Sequence, residues 1–343
     1  MKAVFINNYG DVNNLNWGEV SDTETLEKNQ VLVKMQASSI NHLDIWVRKG
    51  AVGHTAQMPF ILGSDGAGVI AEKGKSVNNY KIGDDVIIQP GIFNQNKIKD
   101  RFHKEHYSKD YKIIGESVNG VQSEYFRCDV ENVYPMPENI DYCEAASMPL
   151  VFMTAYEMLI KRAKIKKNDK VLIYGASSGV GSAAIQIAKD IGCTIYSTVG
   201  DEKKKSFALE LGCDYVFNHR KSSFQFELKN ILKKEKLDII FEHIGKATWN
   251  TSLRFLGYGG RLVTCGATTG YDVSIDLRHL FFKNQSILGS TMGSLDSFEK
   301  VIKNISKNKY RPIIDSVFKF KDIKKAHERV ENGLNLGKVV LSI

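Results

Sequence analysis

Val171-Leu-Ile-Tyr-Gly175-Ala-Ser-Ser178-Gly179-Val-Gly181-Ser-Ala-Ala184 decides the fold. Apolar residues suited to a strand run into glycines and then into small residues suited to a helix. Such a turn is a phosphate cradle: glycine lets the backbone bend tightly and approach a pyrophosphate, while free N–H groups at the helix start, with the helix dipole, favour its charge. Glycines also end strands for structural reasons alone; here the strand before and the helix after supply the context that a dinucleotide site requires. Ala183 and Ala184 let the helix lie close to the sheet. Ser178, Gly179, Val180 and Gly181 are the first candidate cofactor-binding residues.

Outward from this turn, strand and helix patterns alternate. A strand at 171–174 is followed by a helix at 179–191, a strand at 194–199, a helix at 202–211 and a strand at 215–217. Further strands at 237–242, 261–265 and 286–289, with a helix at 246–256, complete a six-stranded, doubly wound parallel sheet of α/β class. Residues 1–125 read instead as short strands (2–6, 30–37, 68–73, 85–89) between Gly, Asn and Asp turns. The tail after Gly293 alternates helix (295–305), strand (316–320), helix (323–332) and strand (338–343), and is expected to return to the first domain. The expected division is therefore 1–125 with 293–343, and 126–292.

The end of the second strand of such a sheet selects between cofactors, because an Asp or Glu there holds the ribose hydroxyls of NAD and repels a 2′-phosphate. That strand ends Ser197-Thr-Val-Gly200 with no acid at its tip, although Asp201 and Glu202 follow at once. Lys203 or Lys204, with Phe217-Asn-His219-Arg220 after the third strand, offer positive charge to a 2′-phosphate. The plain alternative is that the lysines decorate a helix. Gly200, Lys204, His219 and Arg220 join the candidates, as do His243, Gly266, Ala267 and Thr291 after later strands, and Lys338 in the tail.

Composition narrows the classes. A chain of 343 residues, 43% hydrophobic and 25% charged, exceeds what one core usually organises and is neither disordered nor fibrous. No apolar run approaches the length of a membrane helix, and the amino terminus moves straight into strand-like alternation; a cytoplasmic enzyme without membrane association is expected. The net charge of +8 is spread among interleaved acids, so a nucleic-acid partner is not expected. Five scattered cysteines (128, 143, 193, 213, 265) form no C-x-x-C pair, and most should be reduced, buried small hydrophobes.

Asn41-His-Leu-Asp44-Ile-Trp-Val-Arg-Lys-Gly50, Leu62-Gly-Ser-Asp65-Gly-Ala-Gly-Val69, Thr264-Cys-Gly-Ala-Thr-Thr-Gly270, Leu288-Gly-Ser-Thr-Met292 and Gly337-Lys-Val-Val-Leu341 carry a resemblance. Over essentially its whole length the chain resembles the medium-chain dehydrogenase/reductase superfamily, in particular a bacterial branch of alcohol dehydrogenases and quinone oxidoreductases. Val216-Phe-Asn-His-Arg220 is similar to NADPH-using, zeta-crystallin-related quinone oxidoreductases. The resemblance implies a GroES-like β-rich catalytic domain, a Rossmann NADP(H)-binding domain, an active site at their junction, and a homodimer or tetramer. It also places Asn41, Ser64 and Leu150 at the three positions where zinc alcohol dehydrogenases carry metal ligands. None is a good zinc ligand, and Leu150 is none at all. Asn94, Lys97, Asp100 and Ser108 match the four cysteines of the branch's structural zinc lobe, so no zinc is expected there either. His103 and His106, with Asp100, are read as surface polar residues.

Without a metal, charge developing on the substrate oxygen must be met by placed hydrogen-bond donors. The resemblance points to Asn41 and Asp44 for catalysis and to Thr154 against the nicotinamide. Asn41 has an amide that donates; Asp44 orients donors or, alternatively, tethers its helix; His42 is read as a helix-face residue. The expected activity is zinc-independent, NADPH-dependent reduction of a quinone or an α,β-unsaturated carbonyl. The alternatives are an alcohol dehydrogenase acting on small alcohols and aldehydes, with NADH less favoured as cofactor, and a low-turnover nucleotide-binding protein of crystallin-like or RNA-binding type. Trp46, Tyr156, Phe281 and Phe282 suit either an apolar pocket or ordinary core packing.

Overall fold

The computed structural model describes residues 1–343 except 22–24, 52, 54, 55, 94–103 and 222. The chain divides into two compact units, Met1–Val151 with Ser294–Ile343, and Phe152–Gly293. In chain order the first stretch holds β1 (Lys2–Ile6), β2 (Leu15–Glu19), β3 (Gln30–Ile40), α1 (His42–Lys49), β4 (Phe60–Ile61), β5 (Asp65–Lys73), β6 (Asp85–Ile88), β7 (Gly91–Ile92), β8 (Lys112–Ile113), β9 (Tyr125–Asp129), β10 (Val133–Pro135) and α2 (Tyr142–Ser147). Then come α3 (Pro149–Tyr156), β11 (Lys170–Ile173), α4 (Gly179–Ile191), β12 (Thr194–Val199), α5 (Glu202–Leu211), β13 (Tyr215–Asn218), α6 (Phe224–Leu232), β14 (Leu237–Glu242), α7 (Trp249–Phe255), β15 (Leu256–Thr264), α8 (Leu277–Phe282) and β16 (Ser286–Gly289). The tail is α9 (Leu295–Ser306), β17 (Ile314–Lys319), α10 (Ile323–Glu331) and β18 (Lys338–Ser342).

The first unit is organised by β3. Val31, Val33, Met35 and Ala37 alternate inward and are fully buried, as expected of a strand with one face on a core. β3 pairs antiparallel with β5, with β9 and with β18. The last strand of the chain is thus stitched to an early one, and Phe320, Ile323, Val339 and Leu341 share a core with Val4, Ile6, Ile40 and Ile45. The tail, Ser294–Ile343, thus belongs to the first unit.

The expected boundary after residue 125 lies instead after Val151. The cause is pairing: Gln30 stands opposite Asp129 across β3 and β9, and β10 lies against β6. Backbone groups of a strand must find partners, and those of residues 125–135 find them in the first unit.

The second unit has the expected doubly wound sheet, six strands in the order β13-β12-β11-β14-β15-β16, all parallel. β11 ends where the glycine turn begins, and Ser178 caps α4 by accepting from the Gly181 N–H. α6 and α8 are additions to the sequence reading, and β15 starts at Leu256 rather than 261, with a register irregularity between Leu237 and Ile239 of β14. The glycines at 257, 259 and 260 look like a turn but lie within a strand. All five cysteines are free; Cys128 and Cys213 are buried and the other three half-buried. Among the described residues no helix is long and apolar enough to cross a membrane.

Candidate active site

The glycine turn in the second unit is tightly built. A methyl on Gly181 would come within 2.2 Å of the Gly175 carbonyl oxygen, so only hydrogen fits where the first turn of α4 meets the end of β11. Gly175 itself has φ +65°, and its N–H donates to Thr198 Oγ1 at 3.2 Å. The first-turn N–H groups of Gly179 and Val180 have no upstream carbonyl to bond, as at any helix start. His243 lies beside this turn: its Nε2 donates to the Tyr174 carbonyl at 2.8 Å. A Cβ on Gly175 would meet the His243 ring at 3.3 Å. Burial holds His243 below its ordinary pKa, and the Tyr174 carbonyl, which only accepts, places a proton on Nε2.

Behind His243, the buried carboxylate of Glu242 ties the next turn together. It accepts from the N–H groups of Ile244 (2.7 Å) and Gly245 (3.1 Å) and from the hydroxyls of Thr248 (2.9 Å) and Ser252 (3.0 Å). Ala267, in the turn after β15, packs on this loop; a Cβ on Gly245 would meet Ala267 Cα at 2.9 Å. Gly266 neighbours it, its carbonyl accepting from Thr264 Oγ1 at 3.2 Å. Thr291 is exposed beyond the end of β16. Glu242 was not singled out in the sequence; an acid closing an apolar strand, followed within ten residues by Thr and Ser, is the only signal for it.

At the tip of β12 the charges are sorted. Asp201 caps α5, accepting from the Lys204 N–H at 2.9 Å, and Glu202 pairs with Lys221 at 3.0 Å. Both acids that follow the strand are therefore engaged. A Cβ on Gly200 would meet Arg220 Nε at 3.4 Å, so the guanidinium lies over the strand end. Burial, then Arg220, then Lys204 hold His219 below its ordinary pKa, which places these three basic groups in one neighbourhood. These residues fit a dinucleotide: a close-packed glycine turn, a capped helix start, and a cluster of basic side chains where a ribose would end.

The first unit holds the other group. Asn41, Asp65 and Lys338 are buried, 5%, 0% and 4% exposed. Asn41 Nδ2 donates to Asp65 Oδ2 at 2.8 Å, Ser39 Oγ to the same oxygen at 3.2 Å, and the Leu150 N–H to Asp65 Oδ1 at 2.9 Å. Lys338 Nζ donates to Asn41 Oδ1 and, at 3.2 Å, to Asp65 Oδ2. Asp44 accepts from the Asn41 backbone N–H at 2.7 Å, tethering the start of α1; burial pushes its carboxyl up to about 7. Ser64 is fully buried, and its hydroxyl has no partner among the described residues. The amide, hydroxyl and aliphatic side chains at 41, 64 and 150 do not make a zinc-binding set, and an ammonium already lies on the Asn41 oxygen. Among the described residues, no three His, Cys, Asp or Glu side chains gather as a metal site.

Lys338, expected among the cofactor-binding residues, has its ammonium buried with Asn41 and Asp65 in the first unit, because β18 pairs with β3. Other expected placements change. His106 is buried rather than on the surface, its ring edge-on to Tyr107 at 4.5 Å. Asn94, Lys97, Asp100 and His103 lie outside the described residues. Phe281 and Phe282 belong to no core; they are 60% and 69% exposed on α8. His42 is exposed on α1, edge-on to Trp46. Thr154 is buried in α3, and its hydroxyl has no partner among the described residues.

Residues 27–138 match the family model of the alcohol dehydrogenase GroES-like domain, and residues 179–307 that of the zinc-binding dehydrogenases. Quinone oxidoreductase of Homo sapiens is 29% identical over 319 residues, covering 91% of this chain and 88% of that protein. Crotonyl-CoA carboxylase/reductase of Cereibacter sphaeroides is 26% identical over 344 residues, covering 91% and 80%. The crystal structure of an NAD-dependent alcohol dehydrogenase matches with a TM-score of 0.94 and 32% identity over 100% of both chains. A GroES-like domain joined to a six-stranded parallel nucleotide-binding sheet, with relatives of this kind along its whole length, defines the chain as a member of the medium-chain dehydrogenase/reductase superfamily of oxidoreductases.

Proposed function

We propose that the protein is a zinc-independent, NADPH-dependent reductase of quinones or α,β-unsaturated carbonyls. The observation that carries this reading is the buried Asn41 amide, held by Asp65 on one side and Lys338 on the other at the position of a metal ligand in zinc alcohol dehydrogenases. The dinucleotide, when bound, supplies the hydride. The chain's own residues do the rest. The second N–H of Asn41 donates to the substrate oxygen as negative charge grows there, and such a fixed donor is worth more in a buried site than in water. Asp65 and Asp44 hold Asn41 and the start of α1 in place. The buried Thr154 hydroxyl is assigned to the nicotinamide end of the cofactor. Arg220, Lys204 and His219 receive the 2′-phosphate at Gly200, while Asp201 and Glu202 are occupied by their own partners. A proton from solvent completes the reduction.

The quinone oxidoreductases among the relatives support the substrate class. A second reading, hydride exchange with small alcohols using NAD, draws on the 32% identical NAD-dependent alcohol dehydrogenase. It must explain how an alcohol oxygen is polarised by an amide instead of a metal. The deciding experiment is NADPH oxidation by metal-stripped protein with 9,10-phenanthrenequinone, beside elemental analysis of the untreated sample. Turnover without zinc supports the reductase; one zinc per chain with activity lost on stripping overturns it. The working form is taken as a homodimer, for which the exposed Leu277, Phe281 and Phe282 on α8 supply an apolar surface.

A further inference from the structure

We propose that Lys338 is a positioning residue that locks the orientation of the Asn41 amide, leaving one Asn41 N–H free for the substrate oxygen. This rests on the reading of Asn41 as the oxygen-binding donor. The register places the two residues together: Ile40 stands opposite Val339 and Ser39 opposite Val340 across β3 and β18, while Ser39 also stands opposite Asp65 on β5. Three neighbouring strands thus bring Asn41, Lys338 and Asp65 into one buried cluster.

The chemistry of the partners removes the ambiguity of an amide. An ammonium only donates and an ionised carboxylate only accepts. Lys338 must therefore face Asn41 Oδ1, and Asp65 must face Nδ2, as they do. A flipped amide would set its NH2 against the ammonium and its oxygen against the carboxylate, losing both bonds inside a buried site. Of the two Nδ2 protons one is committed to Asp65, and the other meets no acceptor among the described residues. The Lys338 hydrogen bond to the amide oxygen also polarises the amide, increasing the donor strength of its N–H groups.

Two other roles are available to Lys338: a counter-ion that merely permits Asp65 to be buried, or a direct ligand of the cofactor. Lys338→Met, Asn41→Ala and the charge-compensated pair Lys338→Met with Asp65→Asn separate them. Lys338→Met should lower kcat about 100-fold, the scale of losing one oxyanion donor, with NADPH affinity by fluorescence quenching unchanged. The compensated pair should regain the melting temperature but not kcat. In an Asn41→Ala background, Lys338→Met should cost almost nothing further. Recovery of kcat in the compensated pair reduces Lys338 to a counter-ion and overturns the proposal. So does weakened NADPH binding with kcat intact at saturating cofactor.

A readout without substrate keeps the two ideas apart. In protein carrying 15N-asparagine, the Asn41 side-chain amide, assigned by its disappearance in Asn41→Asp, should exchange slowly with deuterium. It should exchange at least about tenfold faster in Lys338→Met and in the compensated pair. Unchanged exchange overturns the positioning role whatever the enzyme reduces, whereas wild-type protein that turns over no quinone or enone overturns the functional reading alone.

Discussion

Arg220 lies over Gly200: a Cβ built on the glycine would meet the guanidinium, Nε at 3.4 Å and Cζ at 3.5 Å. The side chain thus covers the tip of β12, where the cofactor's adenosine ribose is read in this type of sheet. Arg220→Ala should raise KM for NADPH about thirtyfold, since a charge-assisted hydrogen bond is worth about 2 kcal/mol. KM for NADH should stay within a factor of about two. Equal losses for both cofactors would remove Arg220 from 2′-phosphate recognition.

Gly181 tests the phosphate cradle. Its Cβ would stand 2.2 Å from the Gly175 carbonyl oxygen, so Gly181→Ala must push α4 away from β11. Overpacking of this kind costs about 1–3 kcal/mol. The expected result is a lower melting temperature together with loss of NADPH-induced fluorescence quenching. A variant that binds NADPH normally would show that the helix start does not approach the pyrophosphate.

His327 and Arg48 predict an acid-sensitive first unit. Arg48 Nη1 lies 3.3 Å from His327 Nδ1, both side chains are buried, and burial followed by the Arg48 charge holds the imidazole down to about 3 from its ordinary 6.5. As pH falls below 6.5 the unfolded chain takes up a proton that the folded one refuses, so stability is full above 6.5 and lost towards 3. Urea midpoints between pH 7.5 and 5 should fall for the wild type and fall less for His327→Gln, the gap widening by up to about 1.4 kcal/mol per pH unit. Parallel curves would mean that another group controls the acid limb.

The aromatic surface of α8 predicts assembly. Leu277, Phe281 and Phe282 are 63%, 60% and 69% exposed, and α8 immediately precedes β16, the edge strand of the parallel sheet. An exposed apolar helix that leads into an edge strand invites a second copy. Sedimentation velocity should give a dimer for the wild type and a monomer for Phe281→Asp with Phe282→Asp, with the circular dichroism spectrum unchanged. A monomeric wild type would end the dimer reading.

What was legible in the sequence was local. The span of α4 follows from Ser178 at one end and Gly192, at φ +87°, at the other, with apolar residues between at helical spacing. The strand at 194–199 and the helix at 202–211 are readable for the same reason, each framed by its own turn and cap. The β-rich early region is clear from alternation, but its extent is not. Residues 125–135 carry no signal of the partners they find in β3 and β6, and α8 is a short helix without a buried face.

For this protein, then, the sequence alone determined the parallel sheet of the second unit and the glycine turn that opens α4, because these depend on residue type and on neighbours a few positions away. Only the tertiary structure decided that Lys338 meets Asn41, 297 residues distant, that Arg220 lies over Gly200, and that Asp201 and Glu202 are already engaged. Strand register and helix packing choose those partners. A hydrogen bond forms or fails over a few tenths of an ångström, a precision that comes only from the assembled chain.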